Sequence, residues 1–499
     1  MPALETINLH PTTHQPSSLK SHVYDVICLG SGWAGRVLAA RVVQGGLTAL
    51  IVENELIGGD CPFWACVPSK AILRPSEVLE AAKTVGGARE RVERGKGVDV
   101  EAVWQRRDMY TAGWDDTKVL VPMVEQSGVE VVRGMGTIVG TRKVKVEAWK
   151  GDAVELEARH AVAVCTGSEV VFPDVPGLKE AKPWTPREAT SASVLPEHLV
   201  IMGGGVVGCE MATAYSSFGA KVTLVSSTAE ILPRIDAEAG RMVRENLTSR
   251  SVVFYLSTNI TAVKREPRGG VQVTLSNGEV VSAAELLVAA GRKPRTGDVG
   301  LETLGLATDG TPIAVNESLC VTSVPGNWLY AVGDVNGRAL MTHMSKYQGR
   351  IAGNAIVARA KGRSVEQDQS AAWDNFSATA DHVAVPQVVF TDPIVASVGL
   401  TSAAAKAAGR SVREIAVPFM IVGSVLHADG YTGWAQWIVD PASNTLLGAT
   451  FVGRDVADLL HASTVAIAAG VTLDRLVHAV PCFPTMTEVY LTLIDAAGM

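Results

Sequence analysis

Residues Tyr24 to Gly35 read YDVICLGSGWAG, a short apolar run that leads directly into three spaced glycines. A β-branched, apolar run of this length predicts a strand buried in a parallel sheet. Gly30, Gly32 and Gly35 form a G-x-G-x-x-G, which lets the backbone turn tightly and approach a pyrophosphate at the start of a helix. The stretch therefore predicts the first strand, loop and helix of a dinucleotide-binding domain.

The next residues complete this unit with a helical stretch, VLAARVVQGG, and a second strand, LTALIVE, which ends in Glu53. An acid about twenty residues beyond the glycines can accept hydrogen bonds from a ribose. We therefore expect these three glycines and Glu53 to bind a dinucleotide.

The same arrangement recurs after the strand Leu199 to Met202, where Gly203, Gly205 and Gly208 open the helix CEMATAYSSFGA. Two such units suggest two dinucleotides, and a flavin with a nicotinamide is the simplest pair. The second unit's strand KVTLV ends in Ser226 and Ser227 instead of an acid, which removes repulsion of a 2′-phosphate. No Arg is adjacent to these serines, but we expect NADPH in preference to NADH.

Two further strands, AVAVCTGS (161–168) and ELLVAAGRKPRT (285–296), bracket the second unit. A later strand, NWLYAVGDVNG (327–337), ends in Gly333 and Asp334, and ligands bind at the carboxyl ends of such strands. The bracketing predicts that the second unit is inserted into the first.

Composition limits the remaining classes of function. The chain has 499 residues, a net charge of -7 and 47% hydrophobic residues, which suits a soluble protein of several domains. It shows neither a basic face for nucleic acid nor an apolar run long enough for a membrane span. Its polar first residues resemble neither a secretory signal nor a mitochondrial presequence, so we expect a flexible tail at 1–21 and a cytoplasmic protein.

In order along the chain, these motifs and GGDCPFWACVPSK (58–70) resemble the pyridine nucleotide–disulfide oxidoreductases, which include dihydrolipoamide dehydrogenase, glutathione reductase and mercuric reductase. The likeness runs from Tyr24 to the C-terminus. It includes the stretch VPQVVFTDPIVASVGLT (385–401), which resembles the interface domain of the family. It implies an α/β fold with two Rossmann-like domains, the second inserted in the first, and a C-terminal α+β dimerisation domain. The implied parts are an FAD domain (22–170 and 290–355), an NAD(P) domain (171–289), a linker (356–386) and an interface domain (387–499).

The resemblance also assigns roles to residues. It implies FAD and NADPH or NADH as cofactors, with Asp334 on the ribityl chain and Glu53 on the adenosine ribose. It implies a homodimer whose active site is shared between the subunits. The other cofactor-binding positions are Thr166, Gly167, Gly291, Arg292 and Gly333.

Cys61 and Cys66 are the candidate redox residues. Structural zinc would need two more Cys or His ligands at short spacing, and none lies nearby in the sequence. Pro62 predicts a helix start, which would place Cys61 near a helix N-terminus and lower the pKa of its thiol. The spacing puts the sulfurs about one helical turn apart. By resemblance Cys66 lies against the flavin, Cys61 exchanges with substrate, and Lys70 sits near flavin N5 paired with Glu210.

Phe63 and Trp64 depart from the family, which usually has small or polar residues between the cysteines. These rings either pack against the flavin domain or form an aromatic wall that stacks a substrate. The other four buried-looking cysteines are expected to be small hydrophobes in the core: Cys28, Cys165, Cys209 and Cys320.

A larger departure lies near the C-terminus, in HAVPCFPTMTE (478–488). Disulfide-reducing relatives have a His before the Pro-Thr, and this His from the partner subunit carries the proton. Phe483 occupies that position here, and a phenyl ring cannot carry a proton. His478, Cys482 or Glu488 could substitute. A single Cys482 also departs from mercuric reductase, which uses a C-terminal cysteine pair.

The leading hypothesis is therefore an NAD(P)H-dependent FAD oxidoreductase with a Cys61–Cys66 disulfide, acting on a non-standard disulfide, thiol or electrophilic small molecule. The first alternative is a flavin-dependent quinone or aromatic reductase with auxiliary cysteines. Another is a non-catalytic flavoprotein. Mercuric reductase and dihydrolipoamide dehydrogenase are less favoured because of Phe483.

Overall fold

The computed structural model describes residues 6–92, 97–267, 269–365 and 372–499. The first of its units begins with alternating strands and helices. The elements are β1 (Val23–Leu29), α1 (Trp33–Gln44), β2 (Ala49–Glu53), α2 (Asp60–Phe63), α3 (Cys66–Lys83), α4 (Val100–Tyr110), α5 (Leu120–Gln126), β3 (Glu130–Arg133), β4 (Met135–Gly140), β5 (Lys143–Glu147), β6 (Ala153–Val164) and β7 (Ser168–Val170). The apolar run predicted as a buried strand is β1, which lies between β2 and β6 and pairs in parallel with both.

The second unit repeats this βαβ pattern. Its elements are α6 (Pro186–Ser191), β8 (His198–Met202), α7 (Val206–Ser217), β9 (Lys221–Val225), α8 (Ala237–Ser249), β10 (Val253–Tyr255), β11 (Ile260–Arg265), β12 (Val271–Leu275), β13 (Val280–Ala283) and β14 (Glu285–Val288). The strands in the order β10-β9-β8-β14 form a parallel sheet, and β11, β12 and β13 form a separate antiparallel sheet.

The chain then returns to the first unit through β15 (Arg292–Pro294), β16 (Leu329–Ala331) and α9 (Thr342–Ala360). Strand β15 pairs with β7, so the outgoing and returning segments run antiparallel to each other. Strand β16 pairs in parallel with β6 inside the first sheet, with Leu329 opposite Val162. The pairing confirms that the second unit is inserted into the first.

Helix α9 lies closely along α1 because glycines remove the side chains between them. A Cβ at Gly349 would stand 2.8 Å from the Ala34 carbonyl oxygen, and one at Gly353 would stand 2.8 Å from the Arg41 Cβ. This approach places Thr342, the first residue of α9, at the same end of the sheet as the first glycine loop.

The last part of the chain forms an antiparallel sheet covered by helices. Its elements are α10 (Ala380–Val383), β17 (Pro386–Val389), β18 (Ile394–Gly399), α11 (Ser402–Ala407), β19 (Arg413–Pro418), α12 (Val422–His427), β20 (Trp434–Asp440), β21 (Thr445–Gly453), α13 (Leu460–Ala468), α14 (Leu473–Leu476) and α15 (Val489–Ala496). The strand order is β17-β18-β21-β20-β19. Trp437, Phe451 and Tyr490 pack together in its core. This confirms the α+β class predicted for the C-terminal domain.

The segment expected as a linker is more closely packed than the sequence indicated. Helix α9 continues to Ala360, and residues 366–371 lie outside the described part of the chain. Beyond them Ala378 is fully buried, and Asp381 accepts a hydrogen bond of 2.9 Å from the Gln348 amide of α9. Polar composition misled the prediction because it did not show that one carboxylate and one small side chain anchor the segment.

The N-terminal segment also differs from the expected flexible tail. Residues 1–5 lie outside the described range, but Ile7 and Leu9 pack against the apolar cluster of Leu56, Phe63, Trp64 and Trp114. The His14 carbonyl oxygen accepts a hydrogen bond of 2.9 Å from the Arg133 backbone N–H. Two apolar side chains in a polar stretch were too weak a signal to predict this contact.

Helices α3 and α9 contain 18 and 19 residues. Within the described ranges, the structure contains no helix that is both long and apolar enough to cross a membrane.

Replacing Leu9 by Ala should lower the free energy of unfolding by about 1 kcal/mol, because a half-buried apolar side chain leaves the cluster. Thr12→Ala, at an exposed position of the same segment, is the matched control. Chemical denaturation measures both. Equal midpoints for Leu9→Ala and the unchanged protein would show that the segment is not anchored through this side chain.

Candidate active site

The first glycine loop has the shape that a pyrophosphate requires. Gly30 follows β1 with φ +107°, and a Cβ there would overlap the Cys165 carbonyl oxygen, so only glycine fits. Gly35 is packed directly against the Gly30 carbonyl. Gly32 differs, because a Cβ there would meet nothing within 4 Å. The loop thus leaves open space in front of the N-terminus of α1, where backbone N–H groups can bind phosphate.

Glu53 lies beside this loop at the end of β2. One of its oxygens accepts hydrogen bonds from the Ser31 backbone N–H at 2.9 Å and the Ser31 hydroxyl at 2.6 Å. The other accepts from the Glu55 N–H at 2.9 Å. The carboxylate is held as an acceptor next to the phosphate space, which fits the adenosine end of FAD.

The other end of the same groove is built where the chain crosses between the units. Ser168 donates to Asp334 at 2.5 Å, and Arg292 donates to the Ser168 hydroxyl at 2.8 Å. Burial raises the pKa of Asp334. The neighbouring Thr166 hydroxyl is bound to the Arg295 carbonyl at 2.6 Å. Asp334 follows the carboxyl end of β16. The sequence analysis predicted a flavin-binding residue at this position.

The second glycine loop repeats the first. A Cβ at Gly203, whose φ is +115°, would overlap the Ala289 carbonyl oxygen, and Gly208 is packed on the Gly203 carbonyl. Nothing lies within 4 Å of a Cβ at Gly205. Gly167, Gly291 and Gly333 also have positive φ and line the same continuous cavity, whose volume is about 2430 Å³. This exceeds the roughly 300–1,000 Å³ of one small-molecule site and leaves room for two dinucleotides.

Ser226 and Ser227 follow β9 and both line the cavity. Ser226 is buried, and its hydroxyl shares a hydrogen bond of 2.8 Å with Thr228, whereas Ser227 is exposed. Sequence analysis missed Arg234 because it is eight residues beyond Ser226. The Leu232 N–H donates to the Gly204 carbonyl at 2.7 Å, which folds this turn back, and Arg234 lines the same cavity.

The helix start that Pro62 predicted is present, but the two cysteines lie on two helices instead of one turn apart on a single helix. Cys61 lies in the single turn α2, and Cys66 is the first residue of α3. Pro68 provides no N–H for the Trp64 carbonyl, so a helix continued through both cysteines would lack this hydrogen bond. The Thr190 hydroxyl donates to that carbonyl at 3.0 Å, and the Trp114 indole donates to the Phe63 carbonyl at 3.0 Å.

Both cysteines are free thiols in the structure. Interaction with the Cys66 thiol lowers the pKa of Cys61 to about 6, against the effect of burial. The same interaction and burial raise the pKa of Cys66. The Thr342 hydroxyl lies 3.1 Å from the Cys66 sulfur. The lowered pKa favours a thiolate at Cys61, which lies in the first turn of α2, near a helix N-terminus as the sequence predicted.

Lys70 and Glu210 form the ion pair that the resemblance implied. The Lys70 ammonium lies 2.8 and 3.1 Å from the two Glu210 oxygens, and Glu210 is almost fully buried. Glu210 also accepts a hydrogen bond of 3.0 Å from the Phe390 N–H. The pair links α3 of the first unit to α7 of the second.

Asp60, which immediately precedes Cys61, was not identified from the sequence. It lies 3.0 Å from Arg187 of α6 and 2.7 Å from Arg292 of β15. Burial raises the pKa of Asp60, but the two arginines outweigh it and hold the pKa below its usual range. Asp60 thereby ties the Cys61 turn to the crossing segments. No motif pointed to these contacts, because they join three distant parts of the chain.

Phe63 and Trp64 lie in the core. Trp64 is 3% exposed, and its ring stacks on Trp114 with centroids 6.0 Å apart. Buried rings cannot stack a substrate, so the packing alternative is favoured over an aromatic wall.

The C-terminal segment that contains Phe483 lies away from the cysteines of its own chain. Phe483 is 72% exposed, and Cys482 and His478 are also exposed. Glu488 accepts a hydrogen bond of 3.3 Å from the Thr485 N–H. None of these four side chains lines the described cavity. They could meet redox cysteines only in another subunit.

Two glycine loops that open onto one cavity with a pair of thiols define an oxidoreductase with two dinucleotide sites. Residues 24–362 match the family model of pyridine nucleotide-disulphide oxidoreductases, and residues 385–494 match the dimerisation domain of that family. The chain therefore belongs to the pyridine nucleotide-disulphide oxidoreductases, a family that depends on FAD and uses NAD(P)H.

Individual relatives agree with this assignment. A dihydrolipoyl dehydrogenase of Chlorobaculum parvum is 30% identical over 479 residues, 95% of this chain and 97% of the relative. The Bacillus subtilis dihydrolipoyl dehydrogenase is 30% identical over 483 residues, 93% and 96% of the two chains.

Two solved structures share the fold at 23% identity, and each comparison covers 95% of this chain and 99% of the other. The HOCl-induced flavoprotein disulfide reductase RclA of Escherichia coli has a TM-score of 0.77, and LpdA of Mycobacterium tuberculosis has a TM-score of 0.79.

Trp64→Ala should lower the free energy of unfolding by about 3 kcal/mol, because a buried ring leaves a cavity. The KM for the electron acceptor should stay within about twofold, since the ring does not reach solvent. Trp373→Ala, at an exposed Trp, is the control for loss of an indole. Denaturation curves measure the stability, and steady-state kinetics measure the KM. A raised KM at unchanged stability would instead support the hypothesis that Trp64 stacks a substrate.

Proposed function

We propose that the protein transfers electrons from NAD(P)H through FAD to the Cys61–Cys66 pair, and from there to a non-standard disulfide, thiol or electrophilic small molecule. One observation carries the proposal: the paired thiols line the cavity that both glycine loops line, and the pKa of Cys61 is lowered to about 6. A low-pKa, half-exposed thiol beside a second thiol is the arrangement that favours disulfide exchange.

The groove fits FAD at both ends, with open space at Gly32, the Glu53 acceptor on one side and Asp334 on the other. FAD bound there would take hydride from NAD(P)H and pass two electrons to the disulfide. Lys70 would supply a positive charge beside the flavin ring, held in place by Glu210. Gly203, Gly205 and Gly208 would hold the nicotinamide dinucleotide.

The two cysteines would have different roles. Cys61 directly follows Asp60, which pairs with Arg187 and Arg292, and would exchange with the substrate. Cys66, which is hydrogen-bonded to Thr342 and lies near Lys70, would face the flavin. Phe483 makes dihydrolipoamide a less favoured substrate, because position 483 has no imidazole to carry protons.

A homodimer is the assembly that the dimerisation domain supports. Exposed apolar side chains on this domain, Met420, Leu426, Val480 and Phe483, would then be covered by the second copy. We propose that the segment around Cys482 and Phe483 reaches the partner's cysteines.

Anaerobic titration with NADPH, followed by absorbance, tests the function. The yellow protein should gain a long-wavelength band that is lost in Cys66→Ser, and disulfide turnover should fall at least about 100-fold in Cys61→Ser. Cys320→Ser, at a buried cysteine outside the cavity, is the matched control. Turnover that survives Cys61→Ser would favour a quinone or aromatic reductase, and failure of both nucleotides to reduce the protein would indicate a non-catalytic flavoprotein.

The preference for NADPH can be tested at Arg234. If Arg234 and Ser227 bind the 2′-phosphate, Arg234→Ala should raise the KM for NADPH about tenfold, since a hydrogen bond to a charged group contributes about 1.5 kcal/mol or more. The KM for NADH should not change. Arg241→Ala on α8, whose side chain pairs with Glu238 and Glu245, is the control. Equal effects on both nucleotides would refute the assignment.

A further inference from the structure

Two cations lie on one tryptophan ring in the wall of the cavity. The Lys346 ammonium is 3.5 Å from the centre of the Trp33 ring, and the Arg36 guanidinium carbon is 4.1 Å from the same point. All three side chains line the cavity that the cysteines also line. The two cations can therefore be no more than about 7.6 Å apart, so they repel each other.

Neither cation has a carboxylate partner among the residues that the structure describes. Arg36 is 7% exposed, its Nε and Nη1 atoms have no hydrogen-bond partner there, and Nη2 makes only a long contact of 3.4 Å with the Gly58 carbonyl. Lys346 is half-buried, and in the described part of the chain its ammonium contacts the Trp33 ring and no carboxylate. Burying an unpaired charge is costly, so the two cations call for an anion.

The carboxylates that precede the cysteines in the chain are bound to other groups. The two oxygens of Glu53 accept hydrogen bonds of 2.9 Å from the Ser31 and Glu55 backbone N–H groups. Glu55 and Asp60 both pair with Arg187, at 2.9 and 3.0 Å. We therefore expect the anion that the two cations call for to come from a bound molecule.

Helix α9 places this pair of cations beside the cysteines. Lys346 is one turn beyond Thr342, so the two side chains lie on one face of the helix with their Cβ atoms about 5–6 Å apart. The Thr342 hydroxyl lies 3.1 Å from the Cys66 sulfur. A molecule bound to Lys346 can therefore extend to the cysteine pair.

The first glycine loop brings Trp33 close to the other cysteine. A Cβ at Gly59, two residues before Cys61, would stand 2.9 Å from the Cα of Gly32, which directly precedes Trp33. The turn that carries Cys61 is thus packed against the loop that carries the ring. The two cations and the two thiols belong to one part of the cavity.

We propose that Lys346 and Arg36, held on the Trp33 ring, bind an anionic group of the substrate, so that the disulfide reduced by this protein carries a carboxylate or a similar anion. The substrate class rests on the function proposed above, whereas the anion site does not. Ammonium and guanidinium groups both form charge-assisted hydrogen bonds with carboxylates, which are stronger than bonds between neutral groups.

Two histidines line the same cavity. The His343 Nε2–H donates a hydrogen bond of 2.7 Å to the Pro386 carbonyl, and burial lowers the pKa of His343. His461 lies exposed on α13. A histidine can exchange a proton near neutral pH, whereas Lys346 and Arg36 keep their charge. The anion site should therefore act on substrate binding and not on proton transfer.

The first experiment measures binding without disulfide exchange. The FAD-loaded protein with Cys61→Ser, Cys66→Ser and Cys482→Ser keeps only buried thiols. It is titrated calorimetrically with dithiobis(nitrobenzoate), a dianionic aromatic disulfide, and with dithiodipyridine, a neutral one. Lys346→Gln should weaken binding of the dianion about tenfold or more and that of the neutral disulfide less than twofold, because only the dianion loses a charged hydrogen bond. Lys346→Arg should restore most of the affinity.

The matched control is Lys361→Gln, since Lys361 is exposed at the other end of α9. Arg36→Gln should weaken binding of the dianion in the same direction as Lys346→Gln, and the Lys346 variants decide the outcome if the buried Arg36→Gln protein does not fold. Unchanged binding of the dianion by Lys346→Gln would overturn the proposal, and so would an equal loss for the two disulfides.

The pyrophosphate of FAD is a second source of negative charge near α1. Flavin absorbance after desalting shows whether each variant keeps the cofactor. Lys346→Gln should retain FAD as fully as the unchanged protein does. Loss of FAD from Lys346→Gln would overturn the proposal, because the cation would then be a cofactor ligand.

The second experiment measures turnover in the protein with its cysteines intact. NADPH and one proton reduce the disulfide RSSR to two RSH, and NADPH becomes NADP⁺. Lys346→Gln should raise the KM for dithiobis(nitrobenzoate) about tenfold, with kcat and the KM for dithiodipyridine within about twofold. Binding of the dianion that depends on Lys346, without turnover, would refute the proposed function and support the anion site. Turnover with equal changes in KM for the two disulfides would do the reverse.

Discussion

The helix breaks at Trp64 and Ala65, between the two cysteines, and the candidate active site depends on this break. The carbonyls released at Phe63 and Trp64 would be costly if they were buried without donors. Trp114 from the first unit and Thr190 from the second supply those donors. The redox turn therefore takes its shape only when both units are folded against it.

Charge pairs also make the position of the redox cysteines depend on both units. Asp60 binds Arg187, and Lys70 binds Glu210, so each of the helices α2 and α3 is tied to the inserted unit. Partly buried pairs of this kind contribute little net stability, because desolvation offsets most of their attraction. Their consequence here is geometric: they hold the thiols and the two dinucleotide sites in one orientation.

Glycine spacing and strand pattern were enough to predict the two Rossmann-like units and the insertion of the second into the first, and the family resemblance implied the class of the last domain. These features are local, because a buried strand that runs into a phosphate-binding turn needs particular residues at particular spacings. The packed N-terminal segment and the anchored segment before β17 were missed, since Leu9 and Asp381 act through partners more than thirty residues away.

The same division applies to the site. The sequence alone determined which residues are thiols, which loops can approach a phosphate and that position 483 cannot carry a proton. Tertiary structure decided that the thiols lie on two helices and that Asp60 meets two arginines. The physical reason is that a charge's environment is set by whatever chain folds around it, and one-dimensional spacing does not contain that information.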